Sequence, residues 1–177
     1  MRRSLYNELD VSGTGGPLLV YEYPEPEIWD GEASGIALLV PFQDPSNVGS
    51  VIRAAAAFGV KQIVLLGGAA HPFHPKSIRA SAGAVFSVSL YEGVEVGGIG
   101  KFCADKNIPV VALDARGSDI RTAKLPESFA LLPGVEGPGL PEGDFTATIS
   151  IPIEPAVESL NASTAAAVAL FYLTRMR

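Results

Sequence analysis

The sequence predicts one α/β domain built on a parallel sheet with helices on both faces. Three observations carry that reading. From Gly35 onward apolar strand-like runs alternate with helical stretches, the signature of βαβ units. The length of 177 residues suits one compact domain and leaves no room for a second of full size. Hydrophobic residues make up 47% against 18% charged, enough apolar side chain for a real core, which excludes global disorder.

Residues 1–34 read as an arm or linker, carrying the turn-rich GTGG, the acidic-proline stretch YEYPEPEIWDGE and one short strand candidate at 17–23. The domain proper occupies 35–177. A strand at 36–40 leads through a proline turn into a helix at 47–58, with Asn47 where an N-cap is wanted and Gly59 where the helix stops. At 100° per residue Val48, Val51, Ile52, Ala55 and Phe58 gather on the inside and Arg53 points away from them. A strand at 62–66 follows. The HPFHP stretch is a proline-stiffened loop ahead of a short helix at 76–80 and a strand at 84–90. A helix at 94–106 is weakened by Gly97, Gly98 and Gly100, each costing about 1 kcal/mol relative to Ala. Strands at 109–113, 129–132 and 147–151 complete the sheet. The last helix, at 159–175, places Leu160, Thr164, Val168, Phe171 and Tyr172 on one face, with Ser159 and Asn161 available to cap it.

Composition narrows the function classes. One cysteine, Cys103, allows no internal disulfide, and with His71 and His74 it is too small a donor set for a structural zinc site. No apolar run approaches the roughly 18 residues of a membrane span, so a cytoplasmic protein with no membrane partner and no metal is expected. Thirteen Lys and Arg against 19 Asp and Glu give a net charge of −6, which opposes general affinity for polyanions. Any nucleic-acid contact must then be local, or must borrow charge from elsewhere.

Three segments carry possible chemistry. In PFQDPSNVGSVIRAAAAFGV, residues 41–60, Arg53 lies near the carboxyl end of a strand, where α/β sheets place their ligands, although spacing alone also fits an ordinary solvated arginine. In LLPGVEGPGL, residues 131–140, glycines follow a buried strand without the GxGxxG or P-loop spacing. Glu136 there would repel a phosphate and favours a ligand carrying positive charge, while a tight turn is the bland alternative. In residues 149–177 a strand passes through a proline loop to Ser159 and Asn161.

Taken together, these segments resemble the motifs of the SpoU/TrmH family of RNA ribose 2'-O-methyltransferases, within the SPOUT superfamily. Asp44, Pro45, Asn47, Gly49, Arg53, Ala54 and the AFG ending at Gly59 match the first motif. Leu132, Gly134, Glu136, Gly137, Gly139 and Leu140 match the second. Ile151, Pro152, Ser159, Leu160 and Asn161 match the third, and IRASAGAVF at 78–86 is also similar. The resemblance covers roughly residues 35–175.

The resemblance implies a SPOUT domain with a C-terminal trefoil knot, S-adenosyl-L-methionine as cofactor, and a homodimer whose active site draws on both subunits. It implies cofactor contacts at Leu113, Gly134, Ile151 and Leu160, and a catalytic set of Arg53, Asn47, Glu136, Ser159 and Asn161. A guanidinium stays protonated, so Arg53 is read as orienting the RNA and stabilising the developing alkoxide, with proton removal left open. Lys76, Arg79 and Arg116 are the candidate phosphate contacts, with Arg121 and Lys124 beside them. The arm resembles the linker that follows an RNA-binding domain in two-domain relatives. That makes ribosomal RNA the expected substrate ahead of transfer RNA, and the chain the catalytic part of a longer protein, with a minimal single-domain enzyme as the alternative. Two other readings stay open: a non-catalytic cofactor- or RNA-binding module of the same fold, and a hydrolase using His71 and His74, which lack the Asp, Glu or Cys neighbours a metal would need.

Overall fold

The apolar runs become strands buried on both faces because helices cover the sheet from both sides. The structure, a computed structural model, describes residues 3–11, 13–134, 140–141 and 145–176. Among these the strands are β1 (Glu27–Ile28), β2 (Ile36–Val40), β3 (Gln62–Leu66), β4 (Ser89–Val94), β5 (Val110–Asp119), β6 (Phe129–Leu132) and β7 (Ala147–Ser150). The helices are α1 (Arg3–Leu9), α2 (Pro45–Ala57), α3 (Pro75–Ser81), α4 (Ile99–Asp105) and α5 (Ala162–Arg175). The strands form one sheet in the order β1-β4-β3-β2-β6-β5-β7, every pair parallel. The order reverses beside β2, and in such sheets ligands bind beyond the carboxyl ends of the strands near the reversal.

Two cores flank the sheet. One joins Leu38, Phe42, Ile63 and Phe129 to the inner faces of α2 and α5. The other, on the opposite face, joins Leu39, Val64 and Leu132 to Trp29 and to Ile99 and Cys103 of α4. Burial there pushes the Cys103 thiol up to about 11, so it stays protonated at neutral pH. Trp29 follows β1 directly and is 2% exposed, so the segment read as an arm supplies both the edge strand and a core side chain.

Several sequence expectations are corrected. The stretch 17–23 forms no strand, and its Leu19 and Val20 lie almost fully in solvent. The strand expected at 84–90 begins at Ser89, because Gly83 at φ 82° opens a 3-10 turn over Ala84–Ser87. The helix at 94–106 shrinks to a 3-10 turn at Val96–Gly98 followed by α4, so the glycines occupy its frayed start. Asp44, and not Asn47, caps α2: its carboxylate accepts the Ser46 N–H at 2.7 Å with Pro45 in the first turn. The last helix begins at Ala162, with Asn161 as its cap and Ser159 outside it. Its buried face is Ser163, Ala166, Ala169, Leu170 and Leu173, while Thr164, Val168 and Phe171 are exposed. A helix apolar all round does not announce its inner face, and here the small residues turn inward.

Candidate functional site

A cavity of about 940 Å³ opens at the carboxyl ends of β5 and β7 and beside Gly134, two residues past β6. Its apolar wall is made by Leu113, Ile149, Ile151 and Leu160, and its rim carries Asp114, Asp119, Glu154 and Glu158. All four sequence-predicted cofactor residues, Leu113, Gly134, Ile151 and Leu160, line it, as do Ser159 and Asn161. Among the described residues, a Cβ added at Gly134 would meet the Leu113 carbonyl oxygen at 3.7 Å, an ordinary contact.

The wall is shaped by an irregularity in β5. Its register with β7 shifts between Leu113 and Ser118, so Asp114–Gly117 bulges out of the ladder. Gly117 approaches the backbone of Thr148 and Ile149 so closely that a Cβ there would lie 2.6–2.7 Å from it, and the Ser150 hydroxyl donates to its carbonyl at 2.8 Å. Asp114 within the bulge and Asp119 just beyond it each pair with the arginine two residues on. Arg116 Nε donates to Asp114 Oδ1 at 3.0 Å, and Arg121 donates to both Asp119 oxygens. These hydrogen bonds hold the Asp114 and Asp119 carboxyls below their usual range. Both carboxylates therefore remain ionised, and Arg116 and Arg121 are already engaged.

Beside the cavity lies a polar junction between α2 and α5. With Asp44 as the cap of α2, the Asn47 side chain reaches across to the start of α5. Asn161 Nδ2 donates to Asn47 Oδ1 at 3.4 Å, while Asn161 Oδ1 accepts the Thr164 N–H at 3.1 Å as the helix cap. Ser163 Oγ stands between them, 2.7 Å from Asn161 Oδ1 and 3.0 Å from Asn47 Oδ1. Sequence reading brought Asn47 and Asn161 forward and missed Ser163. Its only signal is position: two residues after a cap, a side chain lies in the first turn and reaches the flanking helix.

The remaining predicted residues are dispersed. Arg53 is exposed on α2, in line with Ser46, Ser50 and Ala57, and does not line the cavity. Lys76 and Arg79 are exposed on α3. Among the described residues none of these three cations has an ion pair, in contrast to Arg116. Close packing of α2 on α3 requires Gly49, since a Cβ there would collide with the Ser77 carbonyl. Glu136 lies outside the described residues. His71 and His74 act as local acceptors, each Nδ1 taking a backbone N–H two residues on at 3.2 Å, and the described residues hold no group of three metal-liganding side chains. No helix among them is long and apolar enough to cross a membrane.

Comparison with known proteins adds independent findings. Residues 35–171 match the model of the SpoU rRNA Methylase family. A Syntrophobacter fumaroxidans protein described as ribosomal RNA small subunit methyltransferase G 2 is 49% identical over 99% of this chain, which covers 35% of that protein. A 23S rRNA (uridine(2479)-2'-O)-methyltransferase of Streptomyces viridochromogenes is 33% identical over 75% of this chain and 50% of its own length. The chain thus spans from about a third to a half of these two relatives. The crystal structure of the SpoU methyltransferase AviRb from Streptomyces viridochromogenes with the cofactor AdoMet superposes with a TM-score of 0.74. That likeness has 29% identity over 88% of this chain and 63% of the other.

Proposed function

Because the chain belongs to the SpoU rRNA methylase family, we propose that it transfers a methyl group from S-adenosyl-L-methionine to a ribose 2'-hydroxyl of structured RNA, ribosomal RNA before transfer RNA. The observation that carries this reading is the cavity, where one apolar, carboxylate-rimmed space gathers Gly134, Ile151, Ser159, Leu160 and Asn161. Its residues fit the cofactor. Aliphatic walls suit an adenine ring, rim carboxylates suit a ligand with ammonium and sulfonium charge, and among the described residues no side chain fills the place beside Gly134. The relative named as a 2'-O-methyltransferase and the AdoMet-bound neighbour support the same chemistry.

When bound, the cofactor supplies a methyl group already activated by sulfonium charge. The chain must place the hydroxyl and manage its proton. Leu113, Ile151 and Leu160 enclose the apolar part of the cofactor, and Asn161 presents amide hydrogen-bonding groups at the cavity edge. Arg53 orients the ribose phosphate and stabilises negative charge growing on the 2'-oxygen, with Asn47, Glu136 and Ser159 holding the groups in register.

Arg53 is absent from its own chain's cavity lining, so the proposal includes a homodimer in which Arg53 of one copy completes the cavity of the other. The exposed apolar side chains Val168 and Phe171, with Phe58 5.6 Å from the Phe171 ring, offer a face for that contact. RNA is assigned to the α2–α3 side. Residues 45–91 contain four Lys and Arg and no Asp or Glu, which leaves nine cations and all 19 carboxylates to the rest of the chain. Lys76 and Arg79 are thus favoured as phosphate contacts over Arg116. The same proposal includes the family's C-terminal trefoil knot, a cytoplasmic setting, and the division into arm 1–34 and catalytic domain 35–177.

The test uses tritiated-methyl cofactor with small- and large-subunit ribosomal RNA transcripts, which carry no modifications. Label is expected in a single nucleotide whose 3' linkage resists alkali, because the 2'-oxygen is blocked. Label on a base, or none with cofactor bound, refutes it.

A further inference from the structure

We infer that Ser163 is a positioning residue for methyl transfer, acting through Asn47 and Asn161; the inference rests on the function proposed above. Ser163 is 6% exposed and is one of three buried polar side chains among the described residues. Its hydroxyl proton is shared between two carbonyl oxygens on different helices, 2.7 Å from Asn161 Oδ1 and 3.0 Å from Asn47 Oδ1. Asn161 is doubly constrained. The Thr164 N–H fixes its oxygen at the helix end, which directs its amide nitrogen away from the helix and toward Asn47. One amide N–H is then used on Asn47, and the second is the donor that Asn161, a cavity-lining residue, has left for a ligand. The Asn161–Asn47 contact is long at 3.4 Å, so it fixes the amide weakly by itself. The serine hydroxyl closes the triangle, and with it the separation of the cavity from the helix that carries Arg53.

Nothing else in the fold asks for a hydroxyl at this position. Ser163 lies in the first turn of α5 on its buried face, where alanine is a better helix former and fits the same space. Ser163→Ala should therefore fold normally. Its expected effect is a fall of about tenfold in kcat with little change in cofactor Kd or RNA KM, because ground-state binding does not depend on the amide's exact pose. The double variant Asn47→Ala, Ser163→Ala should lose less than the product of the two single losses, since both residues act on the same amide, Asn161.

The experiment pairs turnover on the ribosomal RNA transcripts with 1H–15N spectra of the side-chain amides of Asn47 and Asn161, read without RNA. Ser163→Ala should move both amide pairs and leave the amides of β3 unmoved. Unmoved Asn47 and Asn161 signals overturn the inference. So does full kcat in Ser163→Ala, or losses that multiply in the double variant. If the wild-type chain labels no RNA while the amide signals move as expected, the functional reading fails and the positioning claim, which concerns methyl transfer, fails with it. Unmoved signals in an active enzyme refute the serine's role alone.

Discussion

The α2–α3 side and the cavity rim carry opposite charge and treat that charge differently. On the first, Arg53, Lys76 and Arg79 stand exposed, with no ion pair among the described residues and no carboxylate in residues 45–91. On the second, Asp114, Asp119, Glu154 and Glu158 ring an apolar space, and two arginines are folded back onto aspartates two residues away. A net charge of −6 hides this division. Among the described residues, one region leaves its cations without ion pairs, and the other presents carboxylates while pairing the arginines that would cancel them. The segregation teaches that overall charge bounds non-specific affinity and says little about a local site.

The comparison breaks most sharply at Arg53. Arg53→Ala should leave folding and cofactor Kd nearly unchanged, since the side chain is exposed and off the cavity, while turnover falls by about a hundredfold or more. Arg53→Lys should recover little, because an ammonium lacks the planar fork. Steady-state kinetics with calorimetry separates the two effects.

At the cavity the converse applies. Gly134→Val should weaken cofactor binding by about tenfold or more, read by calorimetry, because Gly134 lines the cavity. Wild-type affinity in that variant would misplace the pocket. A smaller effect is expected on the basic side. Lys76→Ala and Arg79→Ala should each lower the slope of log affinity for RNA against log salt by about 0.9, whereas Arg116→Ala, already paired with Asp114, should change it less. Smallest is Glu158→Gln on the rim. It should weaken the cationic cofactor about twofold at low salt and leave its demethylated product, which lacks the sulfonium charge, less affected.

How far the sequence spoke depended on where each signal resides. Strands β2, β3 and β6 fall at their expected bounds because burial on both faces leaves apolar runs without ambiguity. Edge strand β1 is two residues long and sits among prolines and glutamates, so only its tertiary pairing with β4 defines it. Two capping residues three apart, Asp44 and Asn47, are equivalent to a local rule. Pro45 at the first helical position decides for Asp44, and that choice sends Asn47 into the site. The inner face of α5 was not legible, because alanines and aliphatics surround it and only contact with α2 selects among them. Ser163 was invisible for the same reason: its partners lie on two helices, one more than a hundred residues away in the chain. The cavity residues Leu113, Gly134, Ile151 and Leu160 were legible through motif resemblance. Their convergence follows from β5, β6 and β7 being neighbours in one parallel sheet.

Subunit mixing tests the proposal that the basic face of one copy completes the cavity of another. Arg53→Ala protein has an intact cavity, and Gly134→Val protein has an intact arginine. Each alone should be nearly inactive on the ribosomal RNA transcripts. Dissociating and reassociating them in equal amounts should restore about a quarter of wild-type turnover, because half of the dimers then hold one complete site of two. Mixing that restores nothing, from subunits proven to exchange, would place Arg53 and the cavity in the service of a single chain and contradict the account.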